Sequence, residues 1–174
     1  MLIADDHLVV REGLAAVIGR QSGITVVAEA SDGLEAVALW SLHRPDVSLL
    51  DLRMPGLDGV AVLRAIRSVA PEARVIVLTT FDSDEDVYRA MRAGAKAYLL
   101  KDVRRDELLE CIRKVQMGEV FIPPAIAAKL AGRVGGEELS QREFEVLLRI
   151  AQGDSNKDVG RHLGISETTV KSHV

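Results

Sequence analysis

One cysteine, Cys111, stands among 174 residues, which excludes an internal disulfide framework and a cysteine-based zinc site. It falls in an apolar stripe, the setting of a packed core thiol. Long hydrophobic runs are missing too. The longest are strand-sized, as in Val75-Ile76-Val77-Leu78, far short of the roughly 18 residues that span a bilayer. No basic leader or cleavage-type site precedes Leu2-Ile3-Ala4-Asp5-Asp6, so a soluble cytoplasmic protein with no membrane role is expected. An excess of basic residues is also lacking. The balance is 22 basic to 26 acidic, a net charge of −4, which argues against non-specific nucleic-acid coating but leaves room for a small DNA-reading module. No GxGxxG or GxxxxGK[ST] follows a strand, so nucleotide binding has no support. There is no internal repeat or low-complexity tract.

What is present has order. Hydrophobic residues make up 48% and charged residues 28% of the chain, a globular balance with room for one ordinary domain and a small second one. Leu2-Ile3-Ala4, Val47-Ser48-Leu49-Leu50, Val75 to Leu78 and Ala97-Tyr98-Leu99-Leu100 suit parallel strands covered on both faces. Ile24 to Ala30 alternates, with Ile24, Val26, Ala28 and Ala30 on one side, and predicts a half-exposed edge strand. Helical stripes lie between them: Val10, Leu14, Val17 and Ile18; Val62, Ile66, Val69 and Ala70; Leu108, Ile112 and Val115. Five strands, each followed by a helix, imply a doubly wound α/β domain over about residues 1–117. In such sheets the chemistry lies beyond the carboxyl ends of the strands.

The pattern then changes. Residues 118–138 read as a linker with a short helix, Ala125 to Leu130, and a flexible Gly132–Gly136 stretch. From Ser140 the periodicity is purely helical. Ser140 and Glu143 form a capping box for a helix carrying Phe144, Leu147, Leu148 and Ala151. Gly153 ends it, Ser155 opens a second helix with Val159 and Leu163 inward, Gly164 closes that one, and Ser166 caps a third from Glu167.

Four polar signals fall at strand carboxyl ends: Asp5 and Asp6, Asp51, Thr79 with Thr80, and Lys101. Three carboxylates on one rim repel unless a cation joins them, and an all-oxygen cluster suits Mg²⁺. A carboxylate beside Mg²⁺ and a lysine can attack a phosphoryl group, because both cations neutralise the transition-state oxygens. Singly, each residue has a plainer reading. Asp5 or Asp6 could cap a helix, Lys101 could be a solvated loop residue, and Thr79 a strand residue. Their coincidence at matching ends of four strands favours the joint reading.

These residues carry a resemblance. Asp5-Asp6, the Asp51-Leu52-Arg53-Met54-Pro55-Gly56-Leu57-Asp58-Gly59 stretch, Thr79 and Tyr98-Leu99-Leu100-Lys101 resemble the receiver domain of two-component response regulators. The tail, from Leu139-Ser140-Gln141-Arg142-Glu143 through Ser155-Asn156-Lys157 to Thr169-Val170-Lys171-Ser172-His173, is similar to the helix-turn-helix of the NarL/LuxR-type branch. The resemblance covers essentially the whole chain. It implies a flavodoxin-like five-stranded parallel sheet of order 2-1-3-4-5, with a smaller all-α helix-turn-helix domain over residues 139–174. It makes Asp51 the phosphoacceptor for a sensor histidine kinase. Asp6 would ligate Mg²⁺ directly and Asp5 through water, with Asp51 and the backbone carbonyl of Arg53 as further ligands. Lys101 would pair with phosphoryl oxygens and Thr79 would hydrogen-bond the new group. Tyr98 would turn inward as a switch, its plainer reading being a core aromatic. The protein would be no enzyme beyond self-phosphorylation and autodephosphorylation, and phosphorylation would release the tail, promote a homodimer, or both.

In the output domain Lys171 and Ser172 align with base-contacting positions, and Ser155, Lys157 and Thr169 with phosphate or backbone contacts. Residues 137–174 hold five basic and seven acidic residues, the wrong sign for phosphate binding. The helix from Glu167 reaches Val174 after about two turns, so a truncated chain is expected, with promoter binding needing residues beyond Val174; the strand that starts at Met1 hints at a trimmed N-terminus as well. Asp102 follows the lysine where many receivers have proline, and Leu8 stands where many carry proline at the helix start. Two other readings compete. A receiver working only through protein contacts would keep the tail as a docking module. A metal-dependent phosphatase would need an acid two residues after its nucleophile, and Arg53 stands there. Trp40 is a candidate exposed anchor for an interface, its alternative being a partly buried surface tryptophan.

Overall fold

A computed structural model describes residues 1–80, 83–132 and 141–172. Five strands, β1 (Leu2–Ala4), β2 (Ala28–Ala30), β3 (Ser48–Leu50), β4 (Val75–Thr79) and β5 (Ala97–Leu100), form one parallel sheet of order β2-β1-β3-β4-β5. Helices α1 (Leu8–Gly19), α2 (Gly33–His43), α3 (Gly59–Val69), α4 (Asp84–Arg92) and α5 (Arg105–Gln116) follow the strands in turn. Successive strand residues point to opposite faces, and both faces are covered. Leu2, Ala4, Leu50, Val75, Val77 and Tyr98 pack with Trp40, Leu63, Ile66 and Val87 of α2, α3 and α4. Ile3, Leu49, Ile76, Leu78 and Leu99 pack with Ile18, Leu108 and Ile112 of α1 and α5. That double burial is why the strands read as unbroken apolar runs.

Three expectations change in detail. The edge strand β2 is only Ala28–Ala30, because β1 offers it three register partners. The alternation from Ile24 still sets side-chain direction: Ile24 and Val26 are half-buried, Thr25 and Val27 exposed. In α3, Val69 is exposed, whereas Leu63 joins Val62 and Ile66 in the buried stripe. Trp40 is no exposed anchor. It is 4% exposed, packed in the α2–α3 core under the Arg44 guanidinium 4.7 Å from its ring centre.

The stretch after α5 is more than a connector. Phe121 donates its backbone N–H to the Lys96 carbonyl and bridges to Ala97, extending the open edge of β5. Val120 and Ile122 are buried there. Helix α6 (Pro124–Gly132) then packs against α4 on one side and α7 (Gln141–Ala151) on the other. Helices α8 (Asn156–Leu163) and α9 (Glu167–Ser172) complete the tail. Val146, Ile150, Val159 and Val170 continue the core that contains Ile122 and Ile126. Punctuation follows the sequence here: Gly153 has φ 94°, Ser155 accepts the Asp158 N–H, Gly164 closes α8 at φ 65°, and Ser166 accepts the Thr169 N–H. The proposed cap at Ser140 and the Arg133–Gly136 stretch lie outside the described residues, as do His173 and Val174.

Cys111 is fully buried on α5, and burial, with Glu107 and Glu110 nearby, pushes its thiol well above the ordinary value. A buried thiol held in its neutral form is a poor nucleophile. Native protein should therefore leave a thiol reagent unreacted, and denatured protein should consume one equivalent; rapid labelling of the native state would contradict this packing.

Candidate functional site

The carboxyl ends of β1, β3, β4 and β5 converge. Asp5 directly follows β1 and Asp51 directly follows β3, with Asp51 N–H bonded to the Ala4 carbonyl across the sheet. Both are almost wholly buried, at 2% and 3% exposure. Lys101, the residue after β5, reaches back over them. Its Nζ lies 2.8 Å from Asp5 Oδ2 and 2.6 Å from Asp51 Oδ2. The same period that directs Ile3, Leu49 and Leu99 to one face aligns Asp5, Asp51 and Lys101, each two residues further on. Thr79 ends β4, 0% exposed, at the opposite parity with Val75 and Val77.

Burial by itself lowers the Lys101 ammonium. The hydrogen bonds that Lys101 donates to Asp5 and Asp51, with the charges of those carboxylates, outweigh it, so Lys101 sits above its ordinary value. A cation raised in the folded state stabilises it fully below the unfolded value of about 10.4 and loses that contribution only as pH rises through the higher folded one. Lys101→Met should therefore lower the melting temperature by a constant amount between pH 6 and pH 9, and the gap should close in strong alkali. A gap that closes near neutrality would contradict the pairing.

Asp6 is exposed, and His7 stands over it with Nδ1 2.7 Å from Asp6 Oδ1 and 3.4 Å from Asp5 Oδ1. Single ligand atoms of Asp5, Asp6, His7 and Asp51 all lie within 4.8 Å of one another. Octahedral ligands about 2.1 Å from a Mg²⁺ ion sit about 3 to 4 Å apart, so the three carboxylates fit a hard divalent cation. The fit is of donor type as well as spacing, since all are oxygen. The Arg53 N–H lies 3.4 Å from Asp51 Oδ1, which holds the loop after β3 close to that carboxylate.

Sequence reasoning missed several partners. His7 directly follows Asp6, and an acidic pair with an adjacent imidazole was the available signal. Arg11, one helical turn on, donates to the Asp5 carbonyl at 2.6 Å. Asp58 caps α3 and also pairs with Arg89 of α4 at 3.5 Å. Asp86 of α4 pairs with Arg53 at 3.1 Å. Pairs between distant segments have no local pattern to reveal them.

Tyr98 is 0% exposed, in the cluster that holds Val87, Met91, Val120, Ile122 and Ile126. It lies at the same parity as Thr79, on the α4 side of the sheet. In the tail, Ser155 and Thr169 engage their hydroxyls locally, Ser155 with Asp158 at 2.6 Å and Thr169 with Ser166 at 2.7 Å. Lys157 is exposed, and Lys171 pairs with Glu167 at 3.0 Å. The Ser172 side chain lies outside the described set. Asn156 is buried and donates to the Gly118 carbonyl at 3.3 Å, holding the start of α8 against the end of α5.

A buried acidic rim with a lysine across it, on a 2-1-3-4-5 sheet that carries a three-helix tail, defines a receiver joined to a helix-turn-helix module. Comparison agrees at both levels. Residues 1–113 match the response regulator receiver domain, and residues 137–174 match the luxR family of bacterial regulatory proteins. The transcriptional regulatory protein LiaR of Bacillus subtilis is 40% identical over 182 residues, covering 100% of this chain and 86% of that protein. A nitrate/nitrite response regulator homolog of Haemophilus influenzae is 39% identical over 178 residues, covering 100% and 86%. Among solved structures, a LuxR-family response regulator from Aurantimonas aligns with TM-score 0.72 and 34% identity over 78% of this chain and 96% of that one. The response regulator ChrA aligns with TM-score 0.63 and 40% identity over 99% and 84%. The chain belongs to the LuxR-type response regulators of two-component systems. Its two domains have a histidine kinase and DNA as their partner classes, and among the described residues no helix is long and apolar enough to cross a membrane.

Proposed function

We propose that Asp51 accepts a phosphoryl group from a histidine kinase and that this event controls a DNA-reading tail. The contact of Lys101 with both Asp5 and Asp51 carries the reading, because it focuses one cation on the carboxylate that would react. An Asp51 oxygen attacks phosphorus, an O–P bond forms, and the P–N bond of a phosphohistidine breaks. Lys101 neutralises the phosphoryl oxygens as their charge moves outward. Asp5, Asp6, Asp51 and the Arg53 carbonyl would hold Mg²⁺, which when bound supplies further charge neutralisation on those oxygens. Leu8 and Val9 are exposed beside this rim and offer the kinase an apolar contact.

The fold supports a route outward. The Thr79 hydroxyl would bond the phosphoryl group, and Tyr98 on the same side of the sheet would readjust against α4. Helix α4 packs on α6, and α6 on α7. The Asn156–Gly118 bond and the shared core hold α8 and α9 against residues 1–117, so a shift of α4 works against that docking. Release would free Lys157, Thr169, Lys171, Ser155 and Ser172 for DNA, and homodimerisation on phosphorylation would pair two tails. We read residues 1–117 as the receiver, 118–138 as the linker and 139–174 as the DNA-binding domain. Asp51 acts as an acceptor rather than as the nucleophile of a turnover enzyme, its chemistry limited to self-phosphorylation and autodephosphorylation. A promoter-reading output puts the protein in the bacterial cytoplasm.

Incubation with acetyl phosphate and Mg²⁺ tests the reading: mass spectrometry should find one added phosphoryl group, dependent on the cation and mapped to Asp51. Label elsewhere, or none, would overturn it.

A further inference from the structure

Phosphoryl transfer as derived above leaves one side chain at the rim unused, that of His7. It holds the N-cap position of α1, where a short oxygen-bearing side chain normally accepts a free N–H of the first turn. The imidazole makes no such bond. It turns the other way, over the carboxylates. Nδ1 lies 2.7 Å from Asp6 Oδ1 and 3.4 Å from Asp5 Oδ1, while the His7 backbone N–H donates to that same Asp5 oxygen at 2.9 Å. Lys101 takes the other oxygen, Asp5 Oδ2, at 2.8 Å. The two oxygens of Asp5 are thus divided between the lysine and the histidine. Arg11 fixes this loop further by donating to the Asp5 carbonyl at 2.6 Å.

We propose that His7 is a nitrogen donor to the cation held at Asp5, Asp6 and Asp51, and that it gives this rim a preference for a first-row transition ion such as Ni²⁺, Fe²⁺ or Zn²⁺ over Mg²⁺. The inference rests on those carboxylates binding a divalent cation and adds which class of ion they select. Adjacent octahedral ligands with bonds of about 2.1 Å stand about 3 Å apart, and the separations of Nδ1 from Asp6 and Asp5 bracket that spacing. One ligand atom each from Asp5, Asp6, His7 and Asp51 fits within 4.8 Å. The ring is 66% exposed, so solvent can carry the Nδ1 proton to Nε2 and leave the Nδ1 lone pair for the metal. Mg²⁺ gains little from that nitrogen, because it is hard and keeps oxygen ligands and its own waters. Imidazole suits iron, nickel and zinc, whose affinity for such sites also exceeds that of harder ions. A carboxylate in place of His7 would serve both classes of ion; an imidazole separates them.

The test is calorimetric titration of the full chain, freed of metal by a chelator, with Mg²⁺ and with Ni²⁺ in separate runs. Mildly alkaline buffer is used because a ligating imidazole must be neutral. The parent should bind Ni²⁺ more tightly than Mg²⁺. His7→Ala should reduce that preference about tenfold or more, the lower end of what losing even an outer partner of a metal ligand costs. The variant should fold, since the exposed ring caps nothing. Asp6→Asn should weaken both ions, which marks the titrated site as the rim. Proton NMR of the Ni²⁺-loaded parent should show imidazole resonances shifted far outside the ordinary range, and His7→Ala should lose them. Equal changes for the two ions in His7→Ala, no change for either, Ni²⁺ binding that Asp6→Asn leaves intact, or no shifted imidazole signal each overturn the inference. A parent protein that binds neither ion overturns the reading of the rim as a cation site, and the inference with it, so the two failures are distinct.

Discussion

Asp51→Asn should take up no phosphoryl group from acetyl phosphate, a loss of at least about 10³ in rate, as expected when a nucleophile is removed outright. The amide oxygen has the same position but neither the negative charge nor the basicity to attack phosphorus. Folding should survive the change. Asp51 contributes a charge to a cluster in which Asp5 and Asp6 already repel it. Lys101 keeps its 2.8 Å contact with Asp5, so the variant leaves no buried cation unpaired. Circular dichroism and melting temperature should stay close to those of the parent while labelling vanishes. Undiminished labelling of a folded Asp51→Asn protein would remove Asp51 from its role and shift attention to Asp5 or Asp6.

Gly59→Ala should destabilise the protein by about 3 kcal/mol or more, the upper range for forcing atoms into a packed interior. Gly59 opens α3 right behind Asp51. A methyl group there would overlap the Asp51 carbonyl oxygen and press on the Leu52 Cα, both backbone atoms that no rotamer change can move aside. The Gly59 N–H also bonds the Leu52 carbonyl at 2.9 Å, which ties the helix start to the strand end. The clash therefore strains the very peptide that places the Asp51 carboxylate. Urea unfolding should show the lost stability, and acetyl phosphate labelling of the remaining folded protein should slow as well. A melting temperature equal to that of the parent would show that α3 can slide away from β3 at no cost. Gly33 has a related role, since a methyl group there would meet the Leu57 carbonyl. The two small residues let α2 and the loop after β3 close around the site.

Much of this was legible in the linear sequence, and the reasons are local. Strands buried on both faces must be apolar throughout, so Val75 to Thr79 and Ala97 to Leu100 announce themselves. Caps and stops act over three or four residues, so Ser155, Gly164 and Ser166 mark the tail helices correctly. Asp5, Asp51 and Lys101 were found because a parallel sheet collects its strand ends on one rim. Other features failed for equally physical reasons. Trp40 could have lain on either side of α2, and only packing against α3 buries it. Phe121 follows a helix among prolines, with no strand pattern around it, and its bridge to Ala97 exists because β5 leaves an edge open. Asp86 and Arg53 are 33 residues apart, and nothing in either segment predicts their meeting.

Composition, period and punctuation thus determined the element types, the doubly wound sheet, the rim of carboxylates and the helical tail, because each depends on neighbours within a turn or a strand. Tertiary structure alone decided the rest. It put Lys101 on both buried aspartates, His7 over Asp6, Arg53 between Asp51 and α4, and Asn156 against Gly118. Those contacts join segments far apart in the chain, and their geometry exists only once the two faces of the sheet have been covered.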